Sequence, residues 1–262
     1  MKIDILFKSP CVVFTLSDIF EPSVIEACLD QFPTDKNLFQ SDAGGKHRIE
    51  HYSRAMAKLL SQSAHWRSVF HRLSADDILS CLNHMEIAEG REPRQYAWES
   101  LNPIVNFVNR HIGKKQLVRQ TIEFSLLDDG AFLVPHTDSK NKVLTMMLYV
   151  PEQQQCGSVE YGTAFHDFAD GTHKKYENFG NIHFNERDFP DFQSDSRIIF
   201  RTPFSKGVLY GFLKNSHSWH SVPKINLRDG EYRRSVNINV YTMNETIIST
   251  LWARIKRIIK NQ

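Results

Sequence analysis

What this chain lacks narrows its class before anything it contains. No stretch of its 262 residues runs to 18 consecutive apolar positions, the length that a membrane-spanning helix needs. The N-terminus, residues 1–8, has too short an apolar core for a secretory signal. A surplus of one charge is missing as well: 32 Lys and Arg against 30 Asp and Glu leave a formal +2, which gives no strong pull toward nucleic acid. Cysteine is sparse. The four thiols, Cys11, Cys28, Cys81 and Cys156, show no CxxC spacing and so read as reduced core thiols, not as a zinc site or a disulfide frame. These absences make the cytoplasm the expected compartment. No internal repeat or low-complexity tract is present, and the length suits a single domain over 1–262.

Helical periodicity marks the first ~115 residues, read as mainly helical support. Ser17-Asp18 offers capping side chains ahead of Pro22, and Val24, Ile25, Cys28, Leu29 and Phe32 then recur at helical spacing until Pro33. Residues 35–48 are polar and rich in Gly and Lys, as in a surface loop. From 49 to 85 the pattern is helical again, with Met56, Leu59 and Leu60 on one stripe and Trp66, Val69, Phe70 and Leu73 on another. Ser74 to Asp77 read as a cap before Ile78. Asn102-Pro103 opens a further helix whose stripe is Ile104, Phe107, Val108 and Ile112, ended by Gly113.

Strand signals take over at 117–127, 143–150, 158–165, 197–201, 207–213 and 232–241. A block of helices followed by a block of strands indicates an α+β fold, with the strands of 116–242 forming a barrel or sandwich. Residues 166–204 are irregular and crowded with rings (Phe168, Tyr176, Phe179, Phe184, Phe189, Phe192), which suits either a lid or a plug at a barrel end. The tail, 243–262, carries Ile247, Ile248, Leu251, Trp252, Ile255, Ile258 and Ile259 opposite Arg254, Lys256, Arg257 and Lys260. It reads as a basic amphipathic helix that docks on the protein itself, with peripheral contact to an anionic membrane as the alternative.

The chemistry concentrates in two places. The apolar run ending Val134-Pro-His136-Thr-Asp138 places an imidazole and a carboxylate two residues apart, on one face of a strand, where both could grip one ion. A His-x-Asp pair alone is weak, as the near miss His84-Met-Glu86 shows. The stretch 207–241 supplies more: His217-Ser-Trp-His220-Ser-Val-Pro223, a polar loop, then Arg233-Arg234-Ser235 opening the next strand. An antiparallel return would set the arginine a few ångströms deeper in the same barrel, where a planar guanidinium could take a dicarboxylate's far end.

The order His-x-Asp, distal His, Arg-x-Ser resembles the 2-oxoglutarate and Fe(II)-dependent dioxygenase superfamily over roughly 117–241. The opening Ser17-Asp18-Ile-Phe-Glu-Pro and Phe32-Pro33 look like its prolyl-hydroxylase-like and phytanoyl-like branches. The resemblance implies a double-stranded β-helix (jelly-roll) core, with N-terminal helical support and a C-terminal amphipathic helix. Carried over residue by residue, His136, Asp138 and His220 match the metal ligands, and Arg233 with Ser235 matches the pair that holds the 5-carboxylate of 2-oxoglutarate. His217 competes with His220, and Arg234 competes with Arg233 if the strand slips by one. The other histidines, His166, His173 and His183, read as surface or loop residues. The implied cofactors are Fe(II) and 2-oxoglutarate, with ascorbate as a stimulant. The implied reaction is hydroxylation of a polar small molecule or carbohydrate unit with release of succinate and CO2; desaturation and epimerisation stay open, and the acidic ligand disfavours halogenation. Two other classes remain: a cupin-like metalloenzyme without 2-oxoglutarate, which Arg-x-Ser disfavours, and a non-catalytic barrel, which the complete ligand set disfavours.

Overall fold

The computed structural model describes residues 1–73, 76–168 and 189–243. Strands β1 (Lys2–Phe7) and β2 (Val13–Ser17) come first, then helix α1 (Pro22–Asp30). Two short strands, β3 (Gln40–Ser41) and β4 (Lys46–Ile49), lead into helices α2 (Arg54–Gln62), α3 (Ala64–Leu73) and α4 (Asp76–Ala88). After β5 (Tyr96–Trp98), helix α5 (Pro103–Phe107) continues as a π-helical turn over Val108–Ile112. Next come β6 (Gln116–Leu127), β7 (Leu133–His136), β8 (Lys142–Tyr149) and β9 (Ala164–Phe168). Helix α6 (Phe189–Asp195) precedes β10 (Ser196–Arg201), β11 (Leu209–Leu213), β12 (His220–Val222) and β13 (Arg233–Thr242).

The strands form two sheets. The larger runs β1-β2-β11-β8-β13-β6-β4-β3, with β5 parallel beside β6, and the smaller runs β10-β9-β12-β7. Every pairing other than β5 with β6 is antiparallel. From β6 onward the chain alternates between the sheets except at the consecutive pair β9 and β10, with β6, β8, β11 and β13 in the large one and β7, β9, β10 and β12 in the small one, a course consistent with a jelly roll.

The two faces of the large sheet differ because consecutive strand residues point opposite ways. On β6, β8 and β13 the even positions Ile122, Phe124, Leu126, Leu144, Met146, Leu148, Val236, Ile238 and Val240 are buried in one core with helices α1 to α4. Phe124 is central to it: Trp66 of α3 meets it edge-on at 4.6 Å and Phe32, just past α1, at 5.3 Å. The odd positions turn toward the small sheet, where Met147, Tyr149, Phe165, Phe204, Tyr210 and Phe212 make a second, smaller core.

Several expectations are corrected. The first 115 residues are not mainly helical, since five strands interleave with the helices, and β1 and β2 extend the large sheet through β11. Ser17 and Asp18 do not cap α1; Asp18 adopts φ 57 in the preceding turn, and Glu21 stands at the cap without a side-chain bond, followed by Pro22. The stripe on α5 and its π-helical turn is solvent-exposed, with Ile104 and Ile112 each 71% accessible. The stretch 158–163 is not strand: Gly162 lies so close to the Thr202 carbonyl that a Cβ would collide, and β9 begins only at Ala164. Three cysteines are buried, whereas Cys156 is exposed at a turn. His166 is neither surface nor loop; it is buried on β9, with Nε2 2.8 Å from Ser221 Oγ on β12 and the Phe192 ring of α6 covering it at 5.3 Å. The Ser74-Ala75 part of the α4 cap, the rings Tyr176, Phe179 and Phe184, His173, His183 and the tail from 244 lie outside the described residues.

Two consequences are measurable. Phe124→Ala removes the ring on which α3 and the α1 exit converge, and should cost about 3–5 kcal/mol in urea unfolding. His166 is held by burial, and then by the charges of Arg201 and His136, down to about 4. The unfolded chain, with an ordinary histidine value near 6.5, therefore binds the extra proton between those pH values. Stability should fall as the pH drops from 6.5 to 4, by up to on the order of 3 kcal/mol from this residue. A urea-midpoint series against pH should show a shallower fall in His166→Gln.

Candidate metal centre

Strand β7 ends at His136, two residues before Asp138, and β12 begins at His220, whose backbone pairs directly with His136. That single register brings the two imidazoles together, with ring centroids 4.3 Å apart. His136 Nε2 lies 4.0 Å from Asp138 Oδ1, and His220 Nε2 lies 4.0 Å from Asp138 Oδ2. Among the described residues this is the group of His, Cys, Asp and Glu side chains able to share an ion, one ligand atom from each lying within 4.8 Å of the others. His217 is not part of it.

The ring nitrogens are already sorted. His136 Nδ1 is 2.9 Å from the Val134 carbonyl, and His220 Nδ1 is 2.9 Å from the Ser218 carbonyl. A carbonyl only accepts, so each neutral ring carries its proton on Nδ1 and keeps Nε2 as its acceptor nitrogen. Burial, reinforced by the neighbouring His136, pushes His220 down to about 3, so it is neutral at ordinary pH. Burial works to raise Asp138, but the charges of Lys142, His220 and His136 outweigh it and hold the carboxyl well below its usual range. Two acceptor nitrogens and a carboxylate thus converge, the donor set of a divalent metal ion. Two atoms bound to one ion at about 2.1 Å can be no more than about 4.2 Å apart, and a right-angled set needs about 3.0 Å. The residues present therefore fit a metal ion after drawing in by about 1 to 2 Å.

Both oxygens of Asp138 are engaged from β8: Lys142 Nζ lies 2.6 Å from Oδ1, and Thr145 Oγ1 donates to Oδ2 at 2.7 Å. Sequence reading missed this pair, although a Thr at an inward position of an otherwise apolar strand was a visible sign.

The ligands border a cavity of about 240 Å³ between the sheets, which Arg233 also lines. Arg233 is 3% exposed; its Nε donates to the Tyr161 carbonyl at 2.5 Å, and its guanidinium carbon lies 5.3 Å from the rings of both Tyr149 and Phe204. No carboxylate of the described residues lies within ion-pair reach of it. Burial lowers it from the usual arginine value, with Tyr149 acting in the opposite sense. Arg234 faces the other way: Nε donates to the Val150 carbonyl, a terminal nitrogen meets Glu152 Oε1 at 2.8 Å, and the guanidinium lies over Phe32. Ser235 shares the face of Arg233, and its Oγ donates to Asn237 Oδ1 at 3.2 Å. Farther along the same wall, Glu123 is buried between Lys46 Nζ and Asn237 Nδ2, each 2.9 Å away.

No family model matches the chain, and no curated protein matches it. Solved structures similar to it include a Pseudomonas putida prolyl-4-hydroxylase, at 12% identity and TM-score 0.44 over 90% of this chain and 95% of that one. HygX from Streptomyces hygroscopicus, with nickel, 2-oxoglutarate and hygromycin B bound, is 11% identical at TM-score 0.44 over 89% of this chain and 84% of its own. SnoN, a non-haem alpha-ketoglutarate-dependent epimerase from nogalamycin biosynthesis, is 13% identical at TM-score 0.44 over 87% and 78%.

Proposed function

We propose that this protein is an Fe(II)- and 2-oxoglutarate-dependent oxygenase with a double-stranded β-helix core, and that it hydroxylates a C–H bond of a polar small molecule or carbohydrate unit. The observation that carries this reading is the pairing, in one cavity, of a two-His, one-carboxylate set with a wholly buried guanidinium that has no acidic partner among the described residues. An uncompensated buried charge is costly, so Arg233 calls for an anionic ligand. A metal chelator whose far end is a carboxylate meets both needs at once. The order His-x-Asp, His, Arg-x-Ser is the second support.

In this reading His136, Asp138 and His220 hold the ion from one side and leave its other positions free. The bound ion would supply the redox chemistry by which O2, 2-oxoglutarate and a C–H bond become succinate, CO2 and an alcohol. The remaining work belongs to the protein's own groups. The Val134 and Ser218 carbonyls fix the histidine tautomers, so that neither ring must lose a proton on binding. Thr145 orients the Asp138 carboxylate. Arg233 takes the far carboxylate of the co-substrate, with Ser235 beside it, while Tyr149 and Phe204 keep water from the guanidinium. Phe165 and Phe212, packed against the His220 ring, keep that side of the site dry.

A succinate-release assay with Fe(II), ascorbate and 2-oxoglutarate tests the reading. Wild-type protein should release succinate slowly even without substrate. Asp138→Ala should abolish the release and weaken Mn(II) binding at least 100-fold. Arg233→Met should leave Mn(II) binding intact and weaken 2-oxoglutarate binding on the order of 30-fold or more, the effect of removing one partner of a buried charge pair. Absence of Mn(II) and 2-oxoglutarate binding in the wild type would refute it.

A further inference from the structure

Four cationic side chains line the cavity: Lys46, Arg48, Lys142 and Arg233. Lys46 is balanced by Glu123, Arg48 by Asp42 and Glu50 near the rim, and Lys142 by Asp138. The last pair differs from the others because, on the oxygenase reading, Asp138 has a second task. A metal that takes the Asp138 carboxylate also takes the charge that Lys142 now faces at 2.6 Å. Both side chains of this pair are only 10% exposed, so water cannot easily replace the lost partner. Lys214 adds a further cation whose field reaches Asp138 and Lys142. Loading the site therefore leaves a buried ammonium beside a divalent ion, an arrangement that calls for a new anion.

The co-substrate tail does not supply it. Arg233 opens β13, while Lys142, which starts β8, pairs across with Tyr241 near the far end of β13. Their backbones are eight residues apart along one strand, so the two side chains enter the one cavity from different ends. A carboxylate held by Arg233 is therefore separated from Lys142 by the length of the co-substrate itself. The Lys142 end is also lined by Asn239, Tyr241 and Thr145, polar side chains suited to a solvated head group.

We infer that Lys142 anchors an anionic group, a carboxylate, phosphate or sulfate, on the molecule oxidised here, and that its position opens when a metal takes Asp138. This rests on the oxygenase reading and sharpens it: the substrate is an anionic small molecule. Metal and substrate are then coupled, each favouring the other through one shared carboxylate.

The full-length chain, Mn(II) as a non-reacting ion, 2-oxoglutarate and inorganic sulfate as the oxyanion probe test this by titration calorimetry. Wild-type protein loaded with Mn(II) and 2-oxoglutarate should bind one sulfate, at least tenfold more tightly than the metal-free chain does. Lys142→Met should weaken sulfate at least tenfold, and Lys142→Arg should keep it within about threefold. In Lys142→Met, Mn(II) should bind as tightly as in the wild type or more so, since a competing cation has left Asp138. Sulfate binding unchanged in Lys142→Met, sulfate displaced by 2-oxoglutarate, or Mn(II) or 2-oxoglutarate weakened more than tenfold in that variant would each overturn the inference. A wild-type chain that takes up neither Mn(II) nor 2-oxoglutarate refutes the oxygenase reading and this inference together. One that takes up both but not sulfate refutes this inference alone.

Discussion

The structure depends on the period of two in strands β6, β8 and β13. Each sends alternate side chains in opposite directions, and the two sets have opposite chemistry. Ile122, Phe124, Met146, Val236, Ile238 and their neighbours cover one face, apolar enough for four helices to pack on it. Glu123, Ser125, Thr145, Arg233, Asn237 and Asn239 cover the other, polar enough to wall a cavity. A slip of one residue would bury charges under the helices and turn leucines and valines into the site. The hydrophobic face thus stabilises the fold and, by the same register, determines which groups can do chemistry.

The cavity concentrates buried charge, and its pairs are of two kinds. Lys46 with Glu123 is a closed pair, both partners nearly out of water and supported by Asn237. It shapes the wall. Arg233 is open among the described residues, a guanidinium that meets carbonyl and rings but no acid, and His136, Asp138 and His220 gather two ring nitrogens about one carboxylate. Open groups of this kind are unfavourable in a finished core and reasonable in a site that a ligand completes. Lys142 belongs to both kinds, closed while it faces Asp138 and open once that carboxylate is taken.

Much of this was legible from the residues. The apolar alternation around 117–127, 143–150 and 232–241 marked the three central strands closely, and the same alternation put Arg233 and Arg234 on opposite faces while leaving open which of the two turns to the cavity. The helical stripe Trp66, Val69, Phe70 and Leu73 is buried as its spacing suggests. Where local pattern misled, partners decided the outcome. β1 and β2 went unmarked by local pattern; β2 joins the large sheet at the edge of β11, and β1 pairs with β2. Ile104 and Ile112 have the spacing of a core stripe yet meet no core among the described residues. His166 sat in a stretch that read as loop, and pairing with β10 and β12 drew it inside.

The sequence by itself determined the ingredients: which strands have a polar face, and that a His-x-Asp pair, two candidate distal histidines and two adjacent arginines stand near strand ends. Periodicity is a local property, so a single chain carries it without its folded context. Only the tertiary structure decided which ingredients meet. The pairing of His220 with His136 across β12 and β7 joins residues more than eighty positions apart, and the approach of Lys142 and Thr145 to Asp138 depends on how β8 leaves the turn after β7. Those contacts follow from sheet order and register, which are set by the packing of the whole chain and are invisible in any one stretch of it.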